Sequence, residues 1–362
     1  MVVLSLFDGI SCGRIALERV GVKVDKYYAS EIEPNAIKVT QYNYPDTIQL
    51  GDVKNINVRD LPKIDLLIGG SPCQSFSNAI QGSGFDGKSG LFYEYLRILK
   101  EAKPKYFLLE NVKMRKEWRD KITNHVGVNP VLINSNLVSA QDRERLYWTN
   151  IIGDGWFGEI SQPENKKIYL YDVVEQVDRE WLPILPWTQK YWGGKKKIDM
   201  LRTIDSDKSF TLTTNKSHSK NYYLSKDKTM LTKLTSKEAE ILQTIPSGYT
   251  SRISEGAAFS ALGNGWTVDV VAHILSFIPE TYLHTVVSLF DGISCGQVAL
   301  ERAGKVYNQY YASEINKYAI AVTQKNYPHT MQLGDVTKID WNAFLDRLNL
   351  IQIPCRPQKS TG

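Results

Sequence analysis

In the first sixty residues, three short apolar strands each end at a turn with glycine or an acidic residue, and the first turn leads into a segment with helical spacing. The run Val2 to Phe7 leads into Asp8-Gly9-Ile10-Ser11-Cys12-Gly13 and then into a helical stretch. A second apolar run ends at Glu31, and a third ends before Asp52. This alternation is typical of an α/β fold, in which parallel strands bring their carboxyl ends to one edge of a sheet. We therefore expect a mostly parallel sheet with a binding site at that edge.

Acidic residues follow three successive strands, which favours a pocket for a nucleoside. Glu31 comes a little over twenty residues after the first glycine turn, where a carboxylate can accept both hydroxyls of a ribose. Each acidic residue alone could be a helix cap or a turn former. The glycine turn departs from the dinucleotide fingerprint, and no lysine-bearing phosphate loop is present. A cofactor without a pyrophosphate, such as S-adenosylmethionine, therefore fits better.

One cysteine stands on a turn at the end of a further strand. The apolar run Ile64 to Ile68 precedes Gly69-Gly70-Ser71-Pro72-Cys73-Gln74, and Glu110 ends the next buried strand. Cys73 is a candidate nucleophile with Glu110 as its neighbour, although a cysteine near a turn is also a common core residue. Downstream, Arg143 and Arg145 are spaced to project from one strand face and to hold a phosphate or carboxylate. Their alternative interpretation is a surface ion pair.

The composition is that of a globular protein, with 42% hydrophobic and 23% charged residues in a chain of 362. No apolar run approaches the length of a membrane span, and the first residues read as a strand rather than as a signal peptide. We therefore expect a cytoplasmic protein without a membrane partner. The four cysteines are too scattered for a disulfide framework, and no Cys/His spacing indicates a metal site.

Positive charge is concentrated in one segment. Residues 186–237 contain twelve Lys or Arg and four Asp or Glu, although the whole chain carries a net charge of only +5. Tryptophan and tyrosine residues are interleaved with these lysines. Such a mixture suits phosphate contacts combined with base or sugar packing, and a solvated lysine-rich surface is the alternative.

Taken in order, the motifs resemble those of the cytosine-C5 DNA methyltransferase family over roughly residues 1–280. The resemblance is to the compact bacterial and phage type, and also to the catalytic domain of eukaryotic de novo DNA methyltransferases. The motifs are Phe7-Asp8-Gly9, Glu31, Asp52, Pro72-Cys73-Gln74, Glu110-Asn111-Val112, Gln141/Arg143/Arg145 and Gly263-Asn264-Gly265-Trp266-Thr267-Val268.

The resemblance implies a fold and a domain organisation. The fold is an α/β, Rossmann-like S-adenosylmethionine-dependent methyltransferase fold, with a mixed, mostly parallel sheet and a small target-recognition region. Residues 1–150 form the catalytic and cofactor-binding domain, and residues 151–255 form the target-recognition region. Residues 256–280 return to the catalytic domain.

The resemblance also implies a mechanism. Cytosine C5 is a poor nucleophile, so the Cys73 thiolate adds to C6 and makes C5 enamine-like. Glu110 in its acid form supplies a proton or hydrogen bond at N3. Arg145 contacts the base carbonyl, and Arg143 lies near the catalytic loop. The target base must leave the duplex, and the glycine-rich stretch Ser75 to Gly90 is the expected closing loop.

The same resemblance assigns binding residues. S-adenosylmethionine, which leaves as S-adenosylhomocysteine, is expected on Phe7, Asp8, Gly9, Glu31, Ile32, Asp52, Val53, Asn264 and Val268. Double-stranded DNA is expected on Ser75, Gln141, Arg202, Lys216 and Lys220, with the lysines on phosphates. Asn264 and Val268 would close the cofactor pocket. Trp266, which lies between them in the sequence, could instead be a simple core residue.

The segment after Val286 repeats the opening at a constant offset of 283 residues. The repetition includes Phe290-Asp291-Gly292, Glu314 and Asp335, and residues 281–362 form a partial, truncated repeat of residues 1–75. Pro354-Cys355 echoes the catalytic turn without the partner glutamate or the arginines, so we expect no catalysis by this copy. Three explanations stay open: a truncated tandem gene, a regulatory cofactor site, or a dimer swapped through residues 286–340.

The leading hypothesis is a DNA cytosine-C5 methyltransferase of a restriction-modification system or of phage self-protection. A tRNA cytosine-C5 methyltransferase is the nearest alternative, because its catalytic residues would be the same. A non-catalytic DNA-binding or regulatory module is the alternative from another class.

Overall fold

The computed structural model describes residues 1–71, 91–155, 158–174, 180–192, 195–278, 282–302 and 306–347. The chain divides into two compact units, Met1–Ile278 and Pro279–Gly362. The predicted subdivision of residues 1–280 into three parts stays a prediction, since residues 1–278 all lie in the first unit.

The first unit is built on a seven-stranded sheet with the order β3-β2-β1-β4-β5-β7-β6. All neighbouring pairs are parallel except the two that involve β7. The predicted α/β fold with a mixed, mostly parallel sheet is therefore confirmed. The strands are β1 Val2–Leu6, β2 Lys26–Ser30, β3 Ile48–Gln49, β4 Leu66–Gly70, β5 Tyr106–Val112, β6 Val131–Asn134 and β7 Glu144–Thr149.

Apolar side chains cover both faces of this sheet. Along β1, Val3 belongs to one hydrophobic cluster and Leu4 to another, because successive side chains of a strand point to opposite faces. A sheet that is buried on both sides needs strands that are apolar along their whole length. For this reason the apolar runs of the sequence predicted the strands. The flanking helices are α1 Cys12–Arg19, α2 Pro34–Asn43, α3 Phe92–Ala102 and α4 Lys116–Val126.

In its described residues, the region after β7 contains short strands and four α-helices. Its strands β8, β11, β12 and β13 form a four-stranded sheet, and β9 pairs with β10. Leu212 and Leu234 belong to the same hydrophobic cluster as Val3, so this region shares the core of the main sheet. The elements are α5 Leu170–Val173, β8 Leu182–Pro183, β9 Tyr191–Trp192, β10 Lys195–Lys196, β11 Arg202–Thr203, β12 Tyr222–Leu224, β13 Met230–Lys233, α6 Ser236–Leu242, α7 Glu255–Asn264 and α8 Val268–Leu275.

The second unit contains a three-stranded parallel sheet with the order β14-β15-β16. Leu289 of β14 is paired with Ser313 of β15, just as Leu6 of β1 is paired with Ser30 of β2. The elements are β14 Tyr282–Leu289, α9 Cys295–Arg302, β15 Val306–Ser313, α10 Lys317–Asn326, β16 Met331–Gln332 and α11 Trp341–Arg347.

Two features are absent from the described ranges. None of their helices combines the length and apolar character needed to cross a membrane. No group of three or more His, Cys, Asp or Glu residues in the same ranges is arranged to hold a metal ion.

Candidate active site

The register of the central strands brings Glu110 to the end of β4. Gly70 is paired with Glu110 in the parallel β4–β5 ladder. Strand β5 extends to Val112, so Glu110 lies within the strand rather than after it, and antiparallel pairing places Val112 opposite Arg145. The Nε of Arg145 is 3.0 Å from Oε1 of Glu110, and the two side chains are 14% and 11% exposed. An ion pair so well shielded fixes the direction of the carboxylate.

Trp266 holds the other oxygen of the same carboxylate. Its indole Nε1 donates a hydrogen bond of 3.1 Å to Oε2 of Glu110. The indole ring also lies close to Gly13 at the start of α1. The sequence left the role of Trp266 open, and the structure makes it a direct partner of the candidate acid. The one sequence feature that pointed to a role at the site was the position of Trp266 in the motif Gly263 to Val268.

Gly70 is the residue that leaves room for this arrangement. A Cβ atom at position 70 would lie 2.8 Å from Oε2 of Glu110 and 3.0 Å from Nε1 of Trp266. The first distance is too short for a carbon atom and the second is unusually short, so a side chain at position 70 would force the carboxylate or the indole to move.

Asn111 anchors the chain just before the predicted catalytic turn. Its buried Nδ2 donates to the hydroxyl of Ser71 at 3.0 Å and to the carbonyl of Ser71 at 3.3 Å. Strand β5 thereby holds the end of β4 through a side chain next to Glu110. Cys73, the predicted nucleophile, and Ser75, a predicted DNA contact, lie outside the described residues.

Arg143 contacts the backbone of the motif Gly263 to Val268. The side chain is buried, and its Nη2 donates to the carbonyls of Gly263 at 3.0 Å and Gly265 at 2.9 Å. Arg143 therefore positions the backbone on both sides of Asn264. Its predicted role near the catalytic loop stays a prediction.

The predicted DNA contact of Gln141 also needs correction. Gln141 is fully buried, and its amide nitrogen donates to the carbonyl of Leu242 at 3.1 Å. Its side-chain oxygen accepts from the backbone nitrogen of Leu212 at 2.7 Å. A side chain with both polar ends used inside the protein does not reach a nucleic acid, so Gln141 links β7 to the region that follows it.

Glu31 follows β2 and belongs to the predicted cofactor cradle. This name is used for the turn Phe7 to Gly9 together with Glu31, Ile32 and Asp52. One oxygen accepts from the backbone nitrogen of Gly9 at 2.8 Å. The other accepts from the nitrogens of Ile32 at 2.7 Å and Glu33 at 2.8 Å. A carboxylate has about four acceptor positions, so one remains for a ligand hydroxyl. Phe7 and Gly9 adopt φ values of 56° and 60°, which turn the backbone toward this carboxylate.

The side chain of Asp8 points into the protein rather than toward the cradle. Its carboxylate accepts hydrogen bonds from the hydroxyl of Tyr27 at 2.8 Å and from the hydroxyl of Ser11. Burial raises the pKa of Asp8 to about 6, against the lowering effect of those hydroxyls. Asp8 therefore shapes the turn, and its side chain is not placed to touch a cofactor.

The remaining predicted cofactor residues differ in exposure. Ile32 is 69% exposed beside Glu31, whereas Val53 is buried. Asp52 caps a short 3-10 helix by accepting from the nitrogen of Lys54 at 3.0 Å. Asn264 is exposed at the end of α7, but Val268 is fully buried in the core cluster, so its side chain contacts protein instead of lining the open edge.

The cradle fits a nucleoside that carries no phosphate. Glu31 and Asp52 supply carboxylate acceptors, and the exposed Ile32 supplies an apolar face next to them. A Cβ built on Gly9 or Gly51 meets no atom within 4 Å, so the turns face open space. A ribose diol, an adenine and a cationic sulfonium match this set of acceptors and apolar surface.

The predicted DNA contacts in the region after β7 differ in their partners. Arg202 pairs with Asp142 at 2.9 Å and lies over the ring of Phe210, so it stabilises the region itself. Lys216 is paired with Glu255 at 2.7 Å. Lys220 is exposed and stays a predicted phosphate contact.

Comparison with known proteins gives three results that bear on the family. The model of the family described as C-5 cytosine-specific DNA methylase matches residues 1–152 and 284–357. The chain is 31% identical to the orphan methyltransferase M.SPRI of Bacillus phage SPR over 289 residues, which are 72% of this chain and 58% of the phage protein. It is 30% identical to the type II methyltransferase M1.ScrFI of Lactococcus lactis subsp. cremoris, over 74% of this chain and 75% of that protein.

A solved structure supports the fold. The S. pombe Dnmt2 methyltransferase superposes with a TM-score of 0.57 at 21% identity, covering 76% of this chain and 97% of that one. Both the family model, which matches more than half of the chain, and the Lactococcus relative lead to one conclusion. The chain belongs to the C-5 cytosine-specific DNA methylase family.

Proposed function

We propose that this protein transfers a methyl group from S-adenosylmethionine to C5 of a cytosine in duplex DNA. The observation that carries the proposal is the shielded Glu110 carboxylate, held by Arg145 and Trp266 beside the end of β4. Because its relatives are phage and type II methyltransferases, we place the reaction in restriction-modification or phage self-protection, in the cytoplasm of a bacterial or infected cell.

The nucleophile in this proposal is the thiolate of Cys73, three residues beyond the end of β4. It adds to C6 of the ring, and the electron pair of the C5–C6 bond becomes available at C5. The cytosine has to leave the helical stack before this addition, since the ring edge is inaccessible in a duplex.

Glu110 is the proposed acid for this addition. Charge moves toward N3 as the thiolate attacks, and Glu110 in its protonated form donates a proton or hydrogen bond there. Arg145 and Trp266 hold one oxygen each, which keeps the group aimed at one position. After methylation, loss of the C5 proton expels Cys73 and restores the aromatic ring.

The family assignment implies an S-adenosylmethionine-dependent methyltransferase. Glu31 would hold the ribose, Ile32 the adenine face and Asp52 the adenine amine, with the backbone of Phe7 to Gly9 at the methionine end. The chemistry that this cofactor supplies when bound is an electrophilic methyl group on a sulfonium. Asn264, presented by Arg143 through Gly263 and Gly265, would close the cradle.

The test is incorporation of a labelled methyl group into duplex DNA and, in parallel, into bulk tRNA. We expect labelled DNA, with the modified cytosines located by bisulfite sequencing. Cys73→Ser should abolish the label, and Cys295→Ser is the matched control that should retain it, because Cys295 is an exposed cysteine of the second unit. If the label appears only in tRNA, the proposed DNA substrate is wrong. If neither nucleic acid is labelled, the proposed methyltransferase activity is wrong.

A further inference from the structure

The second unit rebuilds the backbone of the cofactor cradle. Phe290 has a φ of 56° and Gly292 a φ of 59°, against 56° for Phe7 and 60° for Gly9. Asp291 accepts from the hydroxyl of Tyr310 at 2.9 Å, as Asp8 does from Tyr27. The strained turn is thus formed by the second unit's own residues.

The carboxylate of the cradle is rebuilt as well. Glu314 accepts from the backbone nitrogen of Gly292 at 2.8 Å through one oxygen. Its other oxygen accepts from the nitrogens of Ile315 and Asn316, both at 2.8 Å. These contacts lower the pKa of Glu314, led by the backbone nitrogen of Asn316, so the group is a fixed anion at neutral pH. One acceptor position again remains for a ligand hydroxyl.

The third strand end follows the same plan. The hydroxyl of Ser313 donates to the carbonyl of Gly334 at 2.7 Å, as that of Ser30 donates to Gly51 at 2.8 Å. Asp335 accepts from the nitrogen of Thr337 at 2.9 Å and so keeps the position that Asp52 has in the first unit.

Two apolar side chains beside this carboxylate are open to solvent. Phe290 is 78% exposed and Ile315 is 76% exposed. Exposed apolar groups of this size next to a fixed anion form the recognition surface expected for an adenosine, with its apolar ring and its diol.

Substitutions between the two copies spare the cradle. Residues 290–296, 310–315 and 332–336 are identical to residues 7–13, 27–32 and 49–53, whereas all five residues of 22–26 differ in 305–309. A change outside the cradle is compensated: where the first unit has Arg14, the second has Gln297, whose amide donates to Thr330 at 2.8 Å and accepts from Tyr307 at 2.7 Å. Both polar ends of the Gln297 side chain therefore have hydrogen-bond partners.

We propose that the second unit is a separate, non-catalytic binding site for S-adenosylmethionine or S-adenosylhomocysteine, on Glu314, Ile315, Phe290 and Asp335. The inference rests on the proposed function, since it takes the ligand of the first cradle as the ligand of the second. No methyl transfer is assigned to it, because nothing in its described part corresponds to Glu110 or Arg145.

Equilibrium dialysis of the full chain with labelled S-adenosylhomocysteine tests the proposal. The expected stoichiometry is two per chain, with the second site about tenfold weaker because it has fewer contacts. Ile315→Glu should reduce the stoichiometry to one and leave methyl transfer to DNA unchanged. Ile32→Glu is the matched variant of the first cradle, and it should leave one weak site and abolish methyl transfer. Both side chains are exposed, so neither change disturbs the core.

The alternative outcomes separate the two proposals. One site per chain, lost in Ile32→Glu, would overturn the second site and leave the proposed function intact. Two sites that persist in Ile315→Glu would also overturn it, because the ligand would then lie elsewhere. Absence of binding in the unaltered chain would overturn the proposed function together with the inference. Glu314→Gln, checked by circular dichroism, gives a second variant of the same site.

Discussion

The Nε of Arg145 lies 3.0 Å from Oε1 of Glu110, and the pair joins two antiparallel strands at the edge where β4 ends. Opposite Arg145, Trp266 donates to the second oxygen. A carboxyl group held from two sides is oriented before a substrate arrives, and such preorganisation is what an acid needs in order to act at one ring atom.

Removing the acid should therefore reduce turnover far more than DNA binding. For Glu110→Gln we expect kcat to fall by about 10² to 10⁴, the usual contribution of a positioned acid, with an unchanged Kd for DNA. Single-turnover methyl transfer and a DNA-binding titration measure the two quantities. Lys113→Ala is the control, since Lys113 forms a nearby but exposed pair with Glu144 and should stay within about twofold of the unaltered enzyme. A kcat within tenfold of normal for Glu110→Gln would contradict this role.

A methyl group at position 70 should disturb the same centre. Gly70→Ala places a carbon 2.8 Å from Oε2 of Glu110, so the carboxylate or the indole of Trp266 has to move. We expect kcat to fall by at least about tenfold and stability to fall by about 1 to 3 kcal/mol, the cost of overpacking a close contact.

Gly256→Ala is the matched control for that substitution. Gly256 lies in α7 with nothing near its Cβ position, so alanine should leave activity unchanged and stabilise the protein slightly. Urea denaturation and methyl-transfer rates compare the two variants, and equal behaviour of both would show that position 70 tolerates a side chain.

Asp8 should make stability depend on pH between about 4 and 6. Its pKa is raised to about 6 by burial, above the ordinary value of 3.8, so the folded protein keeps a proton that the unfolded chain has lost. The free energy of unfolding therefore falls as pH rises through this window, by up to about 3 kcal/mol, and levels off above pH 6. In Asp8→Asn this contribution disappears. Urea denaturation at several pH values gives the difference in the free energy of unfolding between the unaltered protein and Asp8→Asn. If this difference stays constant with pH, the prediction is refuted.

The two described cysteines should differ in reactivity. Cys12 is 3% exposed, and burial raises the pKa of its thiol to about 12, so it carries almost no thiolate at pH 8. Cys295 occupies the equivalent position of the repeat but is exposed. Alkylation at pH 8 followed by peptide mass spectrometry should modify Cys295 and leave Cys12 intact in the folded protein. Equal rates at the two positions would contradict the buried position of Cys12.

Local sequence was sufficient for the strands and for part of the site. The apolar runs of β1, β2, β4 and β5 predicted the sheet because its two faces are covered. Glu110 was predicted from its motif, and parallel pairing with Gly70 explains why a residue forty positions later lies beside the end of β4.

Residue spacing did not predict the burial of Gln141 and Arg143. Their partners, Leu242 and Gly263, lie about a hundred positions further along the chain, and only the folded chain brings them together. The contact between Trp266 and Glu110 could not be predicted either, because these residues are 156 positions apart in the sequence. Polar residues that a motif places beside a site can thus serve the packing behind it.

Covalent trapping tests the central claim most directly, since it requires the nucleophile, the cofactor and the DNA substrate together. Duplex DNA with 5-fluorocytosine in its target site lacks the C5 proton whose loss releases the cysteine, so the adduct should persist. We predict a denaturant-resistant protein–DNA complex with the unaltered chain and S-adenosylmethionine, and none with Cys73→Ala. An equal yield of complex from Cys73→Ala, or no complex from the unaltered chain, would contradict the account.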